Sequence, residues 1–434
     1  MASADYRYIR SFFTAGQIRR GLGITVLAAT VGAVFYTQAN ALSLVFAGFA
    51  KELHVSIPLM AILVATLPLS SVAEIVMAYL IQRTGKRQEF FAYGLIVSRL
   101  LWLPIVLIPY AIGEDAYGTR MTVLCALLFL SSVVNVAGGN AWGTWMGDLI
   151  PGTVLGRYFG YRQIFTSLAA ILVGVLVGKY LDIHHGPGGF LVVVSVLLVF
   201  GIADAVLFKW VPHPPMRARA ERHTLWDMVR IPLADRGYRN VIILFAVWNF
   251  TANLIGPYIG IFQLWPEYAA MSYTRSNVYA AIGAGCMVVT SYYWGRLGDR
   301  WDRKKVLTIC LVLASVPPLF YLFVTPEVTW PILVANILGN VGWGGVFVVS
   351  MQLIIGCAPA KDRSMYLACQ SAILGCVITL SYLAGGAFVK LFSGLAVHVG
   401  PYTWRELHFL FLLCGLARFL CLIPLRKIPG KTAE

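Results

Sequence analysis

Long apolar runs, each ended by a short polar or basic loop, recur along the whole chain. A membrane-spanning helix needs about 20 mostly apolar residues. On that rule the pattern predicts twelve spans. The first six are 21–50, 57–82, 89–112, 120–148, 160–182 and 188–210. The second six are 241–265, 276–298, 304–325, 329–357, 365–392 and 406–426. Between the sets lies a polar stretch from His213 to Asn240 with Pro214, Pro215 and six arginines. It is too polar to span. Its Leu225, Trp226, Val229 and Leu233 predict either a short helix on the membrane surface or a plain linker. The expected fold is all-α and polytopic: an N-terminal six-helix half over 1–211, a linker over 212–240 and a C-terminal half over 241–434.

Composition agrees with that pattern. Of 434 residues, 59% are hydrophobic and only 12% charged, too few charges to cover a soluble surface of this size. The net charge of +15 would suggest nucleic acid in a soluble protein. Here the cations sort by loop, so no nucleic-acid partner is expected. With the N-terminus inside, the even loops and tails hold Arg7, Arg10, Arg19, Arg20, Arg83, Lys86, Arg87, Arg157, Arg162, the central arginines, Lys361, Arg363, Arg426, Lys427 and Lys431. The odd loops hold only Lys51, Arg120, Lys179, Arg275, Lys390 and Arg405. This bias predicts both termini in the cytoplasm. The first 18 residues are polar and aromatic and do not read as a secretory signal. All eight cysteines fall in apolar segments without a C-x-x-C pair, so they read as packing residues, not disulfides or metal ligands.

The two halves repeat each other. The loop after the second span reads Ala78-Tyr-Leu-Ile-Gln82-Arg83-Thr-Gly85-Lys86-Arg87. The loop after the eighth reads Gly295-Arg-Leu-Gly-Asp299-Arg300-Trp-Asp302-Arg303-Lys304-Lys305, with five cations in eleven residues. Pro151 and Tyr158 after the fourth span match Pro359 and Tyr366 after the tenth. Gly201-Ile-Ala-Asp204 in the sixth matches Gly415-Leu-Ala-Arg418 in the twelfth. Paired features in the same order predict a duplicated six-helix unit.

With these loops the sequence resembles the major facilitator superfamily, whose loop pattern is G-x-x-x-D-R-x-G-R-[RK]. The second copy keeps Gly295, Asp299, Arg300, Arg303 and Lys304, with Asp302 where glycine is usual. The first keeps Arg83, Gly85, Lys86 and Arg87, with Ala78 for glycine and Gln82 for aspartate. In the family that aspartate caps a neighbouring helix and helps latch the outward-facing state. The resemblance therefore implies that Asp299 is the better latch. Trp145-Met-Gly-Asp148 and Gly156-Arg157-Tyr158-Phe159-Gly160-Tyr161-Arg162 are similar to the loop after span four in a group of bacterial transporters of the superfamily. Arginines at helix ends can pair with carboxylates, and Asp148 and Asp299 are natural partners. The expected gating residues are Arg83, Gly85, Asp148, Arg157, Gly295, Asp299, Arg300 and Arg303. The bland alternative is that these cations fix topology and bind anionic lipid.

The resemblance also implies that spans one, four, seven and ten line a cavity near the membrane midplane between the halves. Each carries a polar or aromatic stripe at helical spacing. The stripes are Gly32, Tyr36, Asn40 and Ser43; Asn135, Gly138, Trp142 and Trp145; Asn249, Asn253, Gly256, Gly260 and Gln263; and Asn336, Asn340, Trp343 and Phe347. Amides facing lipid are costly, so the stripes should face protein or water. The expected substrate contacts are Tyr36, Asn40, Asn135, Trp142, Trp145, Asn249, Asn253, Gln263, Asn336, Asn340 and Trp343. Their neutral, aromatic character suits a hydrogen-bonding or partly apolar solute. The competing role for each is to glue helices together.

Few ionisable groups lie inside the spans. Glu74 and Arg99 lie roughly 12 and 16 Å from the cytoplasmic ends of spans two and three, at 1.5 Å per residue. They are the expected proton-coupling pair, but Asp204 competes for Arg99 and would leave Glu74 as the lone proton carrier. Arg418 has no acidic partner in its half and is expected to snorkel. His54, His184, His185 and His398 fall in outer loops. No nucleotide-binding, metal-ligand or nucleophile–base motif is present, so no cofactor, metal or enzyme activity is expected. The expectation is a monomeric, proton-coupled secondary transporter of a small molecule, in the bacterial inner membrane among lipids. The alternatives are a uniporter, or a non-transporting sensor or assembly protein of the same fold.

Overall fold

A computed structural model describes residues 11–150, 154–214, 226–357, 363–400 and 402–427. In chain order the first elements are α1 (Ala15–Tyr36), α2 (Leu44–Glu52), α3 (Ile57–Leu69) and α4 (Ala73–Thr84), with a 3-10 turn at Ser70–Val72 between the last two. There follow α5 (Arg87–Leu100), α6 (Trp102–Ala111), α7 (Tyr117–Leu149), α8 (Leu155–Ile183) and α9 (Pro187–Leu207). After a short helix α10 (Asp227–Ala234) come α11 (Arg236–Asn253), a 3-10 turn at Gly256–Tyr258, α12 (Ile259–Leu264), α13 (Tyr273–Arg300), α14 (Arg303–Ser315) and α15 (Pro317–Phe320). The chain continues with α16 (Trp330–Cys357), α17 (Arg363–Leu391), the strands β1 (Ala396–Val399) and β2 (Tyr402–Arg405), α18 (Glu406–Ala417) and α19 (Leu422–Leu425).

Among the described residues, eleven stretches are long and apolar enough to cross a membrane. The eighth expected span is α13, a 28-residue helix that carries Arg275 and Arg296. The twelve-span reading is therefore consistent with the fold. The first span differs from expectation. It ends at Tyr36, not near residue 50, because a polar turn intervenes. In that turn Asn40 donates to the carbonyls of Tyr36 and Thr37 and accepts from the Leu42 N–H. Ser43 then caps α2, accepting from the Phe46 N–H. The seventh span starts at Arg236, not 241, because Asp235 accepts from the Gly237 and Tyr238 N–H groups.

The chain divides into two compact units, Met1–Leu53 with Ala73–His223, and His54–Val72 with Thr224–Glu434. In the first unit α1 packs on α8 and α9, and α5 on α7. Glycines allow the close approach of α5 to α7: a Cβ on Gly94 would lie 2.6 Å from the Gly138 nitrogen. In the second unit α3 packs along α17, and α16 takes α13 on one side and α14 on another. Pro68 lies in the last turn of α3, and the second expected span up to Val72 belongs to the second unit. Helix α10 lies in the expected linker, and its Leu233 packs against the apolar core of the second unit.

Candidate functional site

One buried polar cluster of the first unit centres on Arg99, at the end of α5. One guanidinium nitrogen lies 2.6 Å from Asp204 Oδ2 on α9, with both side chains buried. A second donates to the Gly201 carbonyl one turn away. Arg99 thus pairs with Asp204. The α1 backbone makes room for the pair at Gly32, where any Cβ would overlap the Asp204 carboxylate. Glu74 opens α4, directly after the 3-10 turn, and is half-buried. Its carbonyl accepts from Asn140 of α7 at 3.4 Å.

Arg162, read from sequence as a loop cation, instead lies within an apolar stretch of α8 suited to span. Its guanidinium carbon sits 4.7 Å over the Trp142 ring of α7. Its Nε is buried and makes no hydrogen bond among the described residues. Tyr36, at the end of α1, lies within electrostatic reach of Arg162, Arg99 and Asp204, close to Thr166 of α8. One turn earlier on α8, Tyr158 donates to Thr25 at 2.8 Å. Sequence reasoning missed Arg162 because a cation beside a basic loop looks topological. Its spacing from Trp142 across two helices is invisible in one dimension.

At the other end of this unit, Arg87 organises the chain leaving α9. Its side chain has no exposed surface. It contacts Asp148 Oδ2 at 2.5 Å and donates to the Thr144 and Pro214 carbonyls at 3.2 and 2.8 Å. Its Nε lies 3.4 Å from His213 Nε2. Trp145 fills the space beside this network: it donates to the Pro212 carbonyl at 2.9 Å and stacks edge-on against Phe91, Phe208 and His213. Trp145 is therefore a core residue in this structure, not an exposed contact for a solute. Burial and the neighbouring Arg87 hold the His213 imidazole below its usual pKa, so it stays neutral.

Asp148 was expected to pair with a helix-end arginine, and the gating set named Arg83 and Arg157. Both are exposed, and Arg87, the last cation of the same loop, takes the role. The first loop therefore has its ion pair, although Gln82 replaces the family's aspartate. Gly85 adopts φ +67, a left-handed turn that favours glycine. In the second loop the side chains of Gly295, Asp299, Arg300 and Arg303, like that of Gln82, lie outside the described residues. Asp302, where the family has glycine, caps α14 by accepting from the Lys304 N–H at 2.9 Å.

In the second unit the asparagine stripes turn on their own helices. Asn249, Asn253, Asn336 and Asn340 each donate to the carbonyl four residues earlier at 2.8–2.9 Å. One amide N–H of each is thus used within its own helix, and the second N–H and the carbonyl oxygen can still meet a partner. Gln263 does not continue the Asn249–Asn253 face, because the chain breaks between α11 and α12; it is buried against Tyr321. Asn40 likewise leaves the Tyr36 face, since α1 has ended. Asn135 is exposed, Trp142 is half-covered by Arg162, and Trp343 packs 5.2 Å from Trp248.

Arg418 does not snorkel. It is buried and donates to the Ala314 and Ala252 carbonyls at 2.6 and 2.9 Å. These carbonyls belong to the last turns of α14 and α11, where helices leave acceptors unpaired. A cation suits such ends, and that explains why Arg418 needs no acidic partner.

Two related halves of apolar helices, polar groups paired within a half and basic loops between spans define an integral, multi-pass membrane protein of transporter type. The profile of the Major Facilitator Superfamily matches residues 28–292 and 241–434, and the chain belongs to that family. A mutant of the nucleoside transporter NupG is similar in structure, with a TM-score of 0.71 at 10% identity over 94% of this chain and 99% of that one. The inward-open xylose transporter XylE from E. coli gives 0.69 at 12%, over 95% and 98%. A bacterial homologue of the iron transporter ferroportin gives 0.63 at 13%, over 94% and 98%. Identities this low speak to the fold alone. No curated protein matches the sequence. Family and neighbours are transporters, not enzymes.

Proposed function

We propose that this protein is a secondary active carrier that moves a small solute by alternating access and couples that movement to protons. The observation behind the reading is the group Arg99, Asp204 and Arg162 inside one six-helix half. Charges at such depth are costly in a membrane and are kept where they serve transport. The lysine and arginine bias of the loops supports a bacterial inner membrane location with both termini in the cytoplasm.

Glu74 is the proposed proton site. It follows a 3-10 interruption, where a helix can change direction, and Asp204 already neutralises Arg99. Arg99 then holds α5 to α9 while Glu74 gains and loses its proton. In proteoliposomes, an imposed pH gradient should drive solute accumulation. Glu74→Gln should abolish accumulation but leave solute exchange at equal concentrations. Accumulation by Glu74→Gln at the wild-type rate would remove Glu74 from the mechanism. Wild-type flux that ignores the gradient would make the protein a uniporter.

A further inference from the structure

Arg162 differs from the two ion-paired arginines of the first unit. Arg99 is neutralised by Asp204 and Arg87 by Asp148. Arg162 makes no ion pair or hydrogen bond among the described residues; it lies on the Trp142 ring and within electrostatic reach of Asp204, whose carboxylate is already bound by Arg99. Snorkelling would draw the guanidinium toward Arg157, about 8 Å away along the helix, and wet its full length. Instead Nε is sealed from solvent, while the two terminal nitrogens are not buried. A cation–π contact holds one face of the group and leaves its outer edge open. That edge is the part of an arginine that binds a carboxylate or phosphate through two parallel hydrogen bonds.

The matching place in the second half supports this. Arg162 lies four residues after Tyr158, and Gln370 lies four residues after Tyr366. Gln370 also keeps a buried, unpartnered side-chain oxygen. Both repeats thus place a polar side chain with an unpartnered buried atom at this position, a donor in the first half and an acceptor in the second, and the second half has further such atoms elsewhere.

We propose that Arg162 is the anion-recognising group of the carrier and that the transported solute bears a carboxylate or phosphate. This rests on the carrier reading above and narrows its substrate class. Trp142 holds the guanidinium in place, and Tyr36 stands beside it with an exposed ring.

Two measurements on the full-length protein test this. In the first, Tyr36→Cys is labelled with an anionic sulfonatoethyl and a cationic trimethylammonioethyl methanethiosulfonate, with peptide mass spectrometry as the readout. The anionic reagent should react faster by about tenfold, and Arg162→Gln should remove the preference. An equal reagent ratio with and without Arg162 would overturn the proposal. In the second, thermal shifts are compared for benzoate and benzamide, succinate and succinamide, and glucose 6-phosphate and glucose. Any stabilisation should come from the anion of a pair, weaken about tenfold in Arg162→Gln and partly return in Arg162→Lys. Stabilisation by a neutral member that survives Arg162→Gln would overturn it. So would a shift produced by phosphatidylglycerol alone, since that assigns the cation to a lipid headgroup. Uptake of a neutral solute by proteoliposomes would leave the carrier reading in place while this narrower one fails.

Discussion

Replacing Asp148 by asparagine keeps the shape of the Arg87 network but removes its negative charge. Arg87 has no exposed surface and cannot turn to water. Its remaining acceptors are two carbonyls and a neutral imidazole. Breaking one side of a buried ion pair costs about 3–5 kcal/mol. Asp148 keeps 25% of its side-chain surface exposed, so the low end, about 3 kcal/mol, applies. For a unit of this size each kcal/mol moves the melting temperature by about 2–4 °C, giving a fall of about 6–12 °C. The assay is thermal unfolding in detergent, followed by size-exclusion chromatography. Arg87→Met with Asp148→Leu should recover about 2 kcal/mol relative to the sum of the single changes. A fall of under about 2 °C for Asp148→Asn, or additive single changes, would refute the reasoning that this network pins the segment at His213 and Pro214.

Gly32→Ala should lower stability by about 3 kcal/mol or more, because the new Cβ drives Asp204 from Arg99. Gly23→Ala, which meets open space, should be neutral or slightly stabilising in the same melting assay. Arg418→Leu should cost about 2–4 kcal/mol by leaving the Ala252 and Ala314 carbonyls unpaired, with part regained by Arg418→Lys. The His213 imidazole is held below its usual pKa in the folded state, so the unfolded chain takes up the proton first. Its stability contribution is therefore present above about pH 6.5 and lost as pH falls through that value. Melting curves at pH 7.5 and 5.5 should show the loss, and His213→Phe should flatten it.

The fold was legible because a helix crossing lipid must be long and apolar, and that pattern survives in one dimension. Loop chemistry added the orientation and the repeat. What failed were readings that extended a helical face across an unseen break. Asn40 and Gln263 fit their stripes only if α1 and α11 continue, and both helices stop first. Trp145 shows the limit of spacing: three residues from Trp142, it faces the core because Phe91 and Phe208 meet it there. Pairings between distant segments were also hidden. Asp204 was one of two open partners for Arg99, whereas nothing in the loop pattern favoured Arg87 over Arg83 as the partner of Asp148. Arg418 looked unpaired because its partners are backbone carbonyls exposed by helix ends, which no residue type announces.

A carrier moves a small solute across a membrane. The most direct measurement works without naming the solute in advance. Proteoliposomes and protein-free vesicles are incubated in a mixed small-molecule extract, with a proton gradient imposed in either direction. The vesicle contents are then read by mass spectrometry. At least one small solute should be enriched in the proteoliposomes, and a proton ionophore should collapse that enrichment. Contents identical to those of protein-free vesicles under both gradients would contradict solute transport by this chain.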